Sequence, residues 1–138
     1  MNNVFSYKVA SNDFVSAGKV SSEIKSVLKK LGVDRTVLRR ISIATYEAEI
    51  NMIIHSIGGE MKLEINSDCV KIYCDDIGPG IADVSLAMKE GYSTASAKAR
   101  EMGFGAGMGL SNMKKNSDEF DIQSKLHEGT HIVMTFNF

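Results

Sequence analysis

"GFGAGMGL", residues 103–110, sets a glycine at every second position as far as Gly109 and then runs into a stretch with helical character. Glycine inside a helix costs about 1 kcal/mol against alanine. A run this dense therefore marks a backbone that hinges or lies against a phosphate, unless it is no more than a solvated loop. What the rest of the chain brings to the same place decides between these readings.

The chain has 138 residues, which suits one domain with a single core. Lys and Arg number 16 against 17 Asp and Glu, a formal net charge of -1. That supplies no broad cationic field for nucleic acid or an anionic membrane, so a protein partner or a small molecule is the expected ligand. No apolar run approaches the roughly twenty residues needed to cross a bilayer. The start "MNNVFSYKVA" has no basic segment followed by an apolar one, so a cytosolic (cytoplasmic) protein is expected. Cys69 and Cys74 fall at opposite parity in one apparent strand, point to opposite faces and cannot readily bridge. Neither C-x-x-C nor a zinc pattern is present.

Working outward from the glycine run, the segment that begins at "GPG" (Gly78–Gly80) is rich in Gly, Ser, Thr and Ala, with one short helical candidate at 83–89. So long a loop is uncommon in a compact domain without a function, and it reads as a lid over 81–104. Upstream, Phe5, Tyr7 and Val9 alternate with polar residues as a first strand. Ser11, Asn12 and Asp13 can cap a helix whose apolar positions recur from Phe14 to Leu31, ending at Gly32. Asp34 caps a second helix, apolar over much of its circumference, that runs to about Ile57. Met61, Leu63 and Ile65 form one strand and Val70, Ile72 and Cys74 another, joined by the "SD" turn. A helix at 109–116, a strand through Phe120, Ile122 and Ser124, the turn "HEG" and a last strand from Thr130 complete the chain. The expected fold is a single-domain, two-layer α/β sandwich: a mixed β-sheet of about five strands against about three helices.

Polar residues interrupt the apolar faces. Glu47 and Asn51 lie one helical turn apart, on the side of Ile43, Ala44, Ile50 and Ile54. Strand parity turns Asp76 inward with Val70, Ile72 and Cys74, and Thr130 inward with Ile132, Met134 and Phe136. A buried polar pair satisfied by its neighbours would account for two of these. An inward carboxylate at Asp76, followed by the rigid turn Gly78-Pro79-Gly80, asks for a partner.

These residues carry a resemblance. The chain resembles the GHKL ATPases, and among them the small serine/threonine kinases of the anti-sigma-factor type that run partner-switching modules in bacteria. "EAEIN" (Glu47–Asn51) matches the N box, "DIGPG" (Asp76–Gly80) the first glycine box and "GFGAGMGL" the second, with "EGT" (Glu128–Thr130) beyond them. Together they imply a histidine-kinase-like ATPase domain over 1–138, with the Bergerat-type ATP-binding fold and an ATP lid at 81–104.

The resemblance implies ATP and Mg²⁺ as ligands, with Asn51 holding the metal and Glu47 as catalytic general base. Asp76, helped by Thr130, would hold the adenine edge. Gly78, Gly80, Ile81, Gly105, Gly107, Met108, Gly109 and Leu110 would line the nucleotide. His55, one turn after Asn51, is either a phosphate contact or a structural histidine. Lys98 and Arg100 in the lid either reach phosphates or stay solvated. The implied activity is ATP-dependent phosphorylation of a small regulatory partner protein of the antagonist type, with a sigma factor as a further partner and a homodimer as one assembly. The alternative is a regulatory binding module that uses ATP without transferring phosphate. The cations Lys29, Lys30, Arg35, Arg39 and Arg40 either form a docking surface or are simply wet. Walker A, Rossmann and eukaryotic protein-kinase signatures are absent, and His55, His127 and His131 show no zinc spacing.

Overall fold

The computed structural model describes residues 3–10, 13–55, 58–78, 88, 109–125 and 128–138. Strand β1 (Asn3–Val9) is followed by helices α1 (Lys19–Lys30) and α2 (Arg35–His55), strands β2 (Gly59–Ile65) and β3 (Cys69–Asp76), helix α3 (Gly109–Asn116), and strands β4 (Glu119–Lys125) and β5 (Gly129–Asn137). The strands form one sheet in the order β1-β2-β3-β5-β4.

All four pairings are antiparallel, which corrects the mixed sheet expected from the sequence. The reason lies in the connections. A single crossover helix between two strands reverses the chain twice and returns it parallel, whereas β1 and β2 are joined through two helices, so that the chain reverses three times and returns antiparallel. β2 and β3 form a hairpin whose turn is held by Asn66, its Oδ1 accepting the N–H of Asp68 and of Cys69, both at 2.8 Å.

The inner sheet face carries Met61, Leu63, Val70, Ile72, Met134 and Phe136, all fully buried, against the three described helices. The outer face is polar, with Tyr73 donating to Glu64 and His131 paired with Asp75. This alternation gives a two-layer sandwich with one wet sheet face. Cys69 and Cys74 are buried and unbridged. Among the described residues no helix is long and apolar enough to cross a membrane.

Helix α1 begins five residues later than the apolar spacing predicts. The chain from Phe14 forms a turn, with the Ser16 N–H donating to Asp13 Oδ1, and Gly18 enters the left-handed region at φ 92°. Gly18 also lies against the ring of Tyr46, where a Cβ would sit 3.3 Å from Cε1. Gly32 ends the helix as expected, at φ 80°. Asp34 caps α2 as expected, accepting the N–H of Thr36 at 3.0 Å.

Helix α1 has neither a side-chain cap of its own nor an acid in its first turn. Glu49 of α2, only 2% exposed, does that work from across the helix pair. Its carboxylate accepts the N–H groups of Gly18, Val20 and Ser21 at 3.2, 3.2 and 2.9 Å. A buried anion at the positive end of a helix is well placed, and it satisfies donors that would otherwise be orphaned. The Glu49→Ala variant therefore leaves two buried N–H groups and one half-buried one without an acceptor and should lose about 3 kcal/mol of unfolding free energy. Urea denaturation checks this; a loss below about 1 kcal/mol removes Glu49 as the anchor of α1.

Candidate active site

One helix presents the first part of the site. At 100° per residue, Glu47 and Asn51 share a side of α2 while Glu49 points away to α1. Both are half-buried and face the start of α3. The Asn112 side-chain amide donates to Glu47 Oε1 at 3.3 Å. Three residues earlier on α3, Gly109 lies so close to Asn51 that a Cβ would sit 3.0 Å from its Oδ1 and 3.1 Å from its Nδ2. A side chain at 109 would crowd the amide, so the last glycine of the run is there for close approach. The sequence reading placed Ile43 on the buried side of this helix; it is 36% exposed.

The second part is built at the ends of β3 and β5. Asp76 Oδ1 accepts the N–H of Thr130 at 2.9 Å and of Gly78 at 3.1 Å. Gly129, at φ 90°, passes directly over this strand end: a Cβ there would lie 2.5 Å from the Asp76 carbonyl oxygen. Thr130 is buried, and its hydroxyl pairs with Ser124 Oγ at 2.7 Å. Its contact with Asp76 is thus made by backbone, and its hydroxyl belongs to a β4–β5 link that parity alone did not reveal.

The two parts touch through Gly59. It pairs with Asp76 in the sheet, and a Cβ on it would lie 2.5 Å from Met52 Cε, the residue after Asn51. A cavity of about 640 Å³ opens on the α1 side of α2 among Lys8, Lys19, Glu49, Gly59, Asp75 and Ile77. Neither Glu47 nor Asn51 is among its walls, and its mixed charges select no ligand class.

Leu110 is a core residue, 7% exposed, so only its backbone is available to a ligand. His55 is the last residue of α2. Pro79, Gly80, Ile81, Lys98, Arg100, Gly105, Gly107, Met108 and His127 lie outside the described residues, as does the helix expected at 83–89 apart from Met88. Asn112, Gly129, Ser124 and Glu49 were not singled out from sequence. For Gly129 the signal was present in the turn "HEG" before an inward threonine; for Asn112 the only hint was its place one turn after Gly109.

Burial raises the pKa of Asp76, opposed by the N–H groups of Thr130 and Gly78 and the nearby His131, and reinforced by Asp75. Burial likewise pushes the adjacent Cys74 thiol up, with Asp75 and Asp76 adding to it. A carboxyl whose folded pKa lies above its unfolded value binds more protons in the native state, so its contribution to stability falls as pH rises through that window. Asp76→Asn keeps an oxygen for both N–H groups and removes the charge. We expect it to raise Tm at neutral pH, with the gain shrinking as pH falls through the elevated carboxyl range; a gain independent of pH would contradict the assignment.

Comparison with known proteins places this geometry. Residues 36–138 match the family model described as histidine kinase-, DNA gyrase B-, and HSP90-like ATPase. The chain is 32% identical over 124 residues to the serine/threonine-protein kinase RsbT of Bacillus subtilis (strain 168), covering 87% of this chain and 85% of that protein. It is 32% identical over 100 residues to an anti-sigma F factor of Clostridium novyi (strain NT), covering 68% and 66% of the two chains. Against an anti-sigma F factor of Thermoanaerobacter sp. (strain X514) the identity is 29% over 132 residues, or 89% of each chain. The solved structure of the RsbU and RsbW domains of Rv1364c from Mycobacterium tuberculosis superposes with a TM-score of 0.61 at 15% identity, a likeness of fold. It covers 96% of this chain and 32% of that one. With three quarters of its length inside the family model, the chain belongs to the histidine kinase-, DNA gyrase B- and HSP90-like ATPase family.

Proposed function

We propose that the chain is a cytosolic, ATP-dependent protein serine/threonine kinase that phosphorylates a small regulatory partner and so changes which protein that partner binds. The observation that carries this reading is the placement of Glu47: a half-buried carboxylate, held by Asn112, one turn from Asn51 and beside the helix that follows the glycine run. The kinase named among the relatives supports it.

In this reading a serine or threonine hydroxyl oxygen of the partner attacks the γ-phosphorus, the bond from that phosphorus to the β-phosphate oxygen breaks, and ADP leaves. The hydroxyl proton passes to the Glu47 carboxylate. Asn51 fits a Mg²⁺ site as a single neutral oxygen donor: among the described residues no cluster of three His, Cys, Asp or Glu could hold a metal, so phosphates and water would complete the shell. Bound there, Mg²⁺ would neutralise charge on the phosphates. The N-terminus of α3, which begins with Gly109 against Asn51, would favour phosphate at the same place.

Asp76 would accept the amino group of adenine. Both recorded N–H donors go to its Oδ1, so Oδ2 is the atom offered to the base, while Thr130 fixes the same edge. The relatives named anti-sigma F factors favour a second reading, in which the chain binds ATP and a regulatory partner such as a sigma factor without transferring phosphate. A homodimer would be compatible with either.

The two readings diverge at Glu47. Glu47→Ala should lower phosphotransfer by about 10² to 10⁴ while ATP affinity stays within about tenfold. Labelled ATP with lysate from the source organism reads the first quantity and calorimetry the second. An unchanged transfer rate in the variant removes Glu47 as the base.

A further inference from the structure

Every fourth residue of α2 from its first position gives a single row: Arg35, Arg39, Ile43, Glu47 and Asn51. At 1.5 Å per residue the row is about 24 Å long, and it is a ridge that winds roughly 40° around the helix at each step, so that Arg39 and Ile43 are the members nearest to Glu47. Its second half is the N-box pair. Its first half is exposed.

Helix physics does not explain the two arginines. Arg35 stands in the first turn of α2, where the positive end of the helix disfavours a cation, that turn holds no acid, and Arg39 follows one turn later, exposed. Oδ2 of the preceding Asp34 accepts the N–H groups of Thr36 and Val37. The Asp118 carboxylate takes the Arg40 guanidinium on one oxygen and the Asn137 N–H on the other. Arg40, by contrast, is accounted for: its Nε donates to the Asn116 carbonyl at the C-terminus of α3, where a cation belongs.

Between the arginines and Glu47 the row is apolar. Ile43 is 36% exposed, and Tyr46, three residues on, is 40% exposed with its ring edge against Gly18. A cationic end, an apolar middle and the carboxylate proposed as base thus follow one another along one helix, in a chain whose net charge is -1.

We propose that this row is the docking surface for the protein that accepts the phosphate, and that the partner presents to it an amphipathic helix carrying carboxylates and aliphatic side chains. The carboxylates pair with Arg35 and Arg39, the aliphatic groups cover Ile43 and Tyr46, and the hydroxyl-bearing end of the partner is thereby delivered to Glu47. Complementary charge sets encounter and register, and the apolar centre supplies the affinity. What is delivered rests on the kinase reading; the docking itself requires no transfer.

The probe is a fluorescent synthetic helix of Glu and Leu at helical spacing, long enough to span the row and ending in Ser, with a second helix bearing Lys for Glu. Binding to the full-length chain is read by anisotropy. The acidic helix should bind and the basic one should not, and Arg35→Glu/Arg39→Glu should weaken binding at least about tenfold. Lys62→Glu/Lys71→Glu makes the same charge change on the outer sheet face and should leave binding unaltered. Thermal unfolding and ATP affinity confirm that each variant is folded.

Equal binding of the two helices, or equal loss in the two double variants, overturns the proposal. So does a dimer, by sedimentation, that Arg35→Glu/Arg39→Glu dissolves, because the row would then hold a second copy of this chain. Docking that survives while labelled ATP gives no Glu47-dependent transfer counts against the kinase reading and leaves the docking surface standing.

Discussion

Helix α2 has to satisfy three neighbours with five consecutive residues, and the arrangement of the molecule follows from how it does so. Glu47 and Asn51 turn to α3, while Glu49, roughly 200° around the helix from Glu47, turns to α1 and holds its first turn through three N–H groups. Ala48 and Ile50 between them, and Met52 and Ile53 just beyond, are buried. A one-residue slip of this helix against the sheet would expose the core face and bury the wrong carboxylate. Register along α2 is therefore specified by polar and apolar contacts at once, which fixes the N-box side chains in direction as well as position.

The sheet solves a different problem, that of holding a carboxyl group at the edge of an apolar interior. Asp76 continues the inward parity of Val70, Ile72 and Cys74, and burial disfavours its charge. Two backbone N–H groups offset part of that cost, and they reach it because Gly129 lets β5 cross the end of β3 without a side chain between them. Both of its hydrogen bonds come from backbone and go to Oδ1, which leaves Oδ2 open. A half-buried carboxyl with one oxygen open gains more from a donor than a fully satisfied one would, because burial has already removed part of its water.

Much of this was legible in the sequence. Five strands followed from period-two alternation, the start of α2 from Asp34 and the end of α1 from Gly32, because each of these signals is local. The pairing of Glu47 with Asn51 and the inward aim of Asp76 followed from helix and strand geometry in the same way. What escaped reading was made by residues far apart in the chain. The start of α1 depends on Gly18 and on a carboxylate from another helix, with no cap in its own sequence to announce it. The antiparallel sheet depends on how two helices fold back together, which alternation within a strand does not encode. Asn112 and Gly129 act by proximity to residues more than fifty positions away.

The contrast between Arg40 and its neighbours shows how such distant contacts separate structural charge from functional charge. Arg40 sits among the same basic residues as Arg35 and Arg39, and sequence alone treats them as one run. In the fold Arg40 closes the C-terminus of α3 and joins Asp118 at 3.0 Å, tying together the elements that flank the site. Arg35 and Arg39 make no such contacts among the described residues, and Arg35 stands in the first turn of a helix whose dipole opposes it. Arg40 is charge that the fold uses; the other two are charge left exposed to whatever approaches this end of α2.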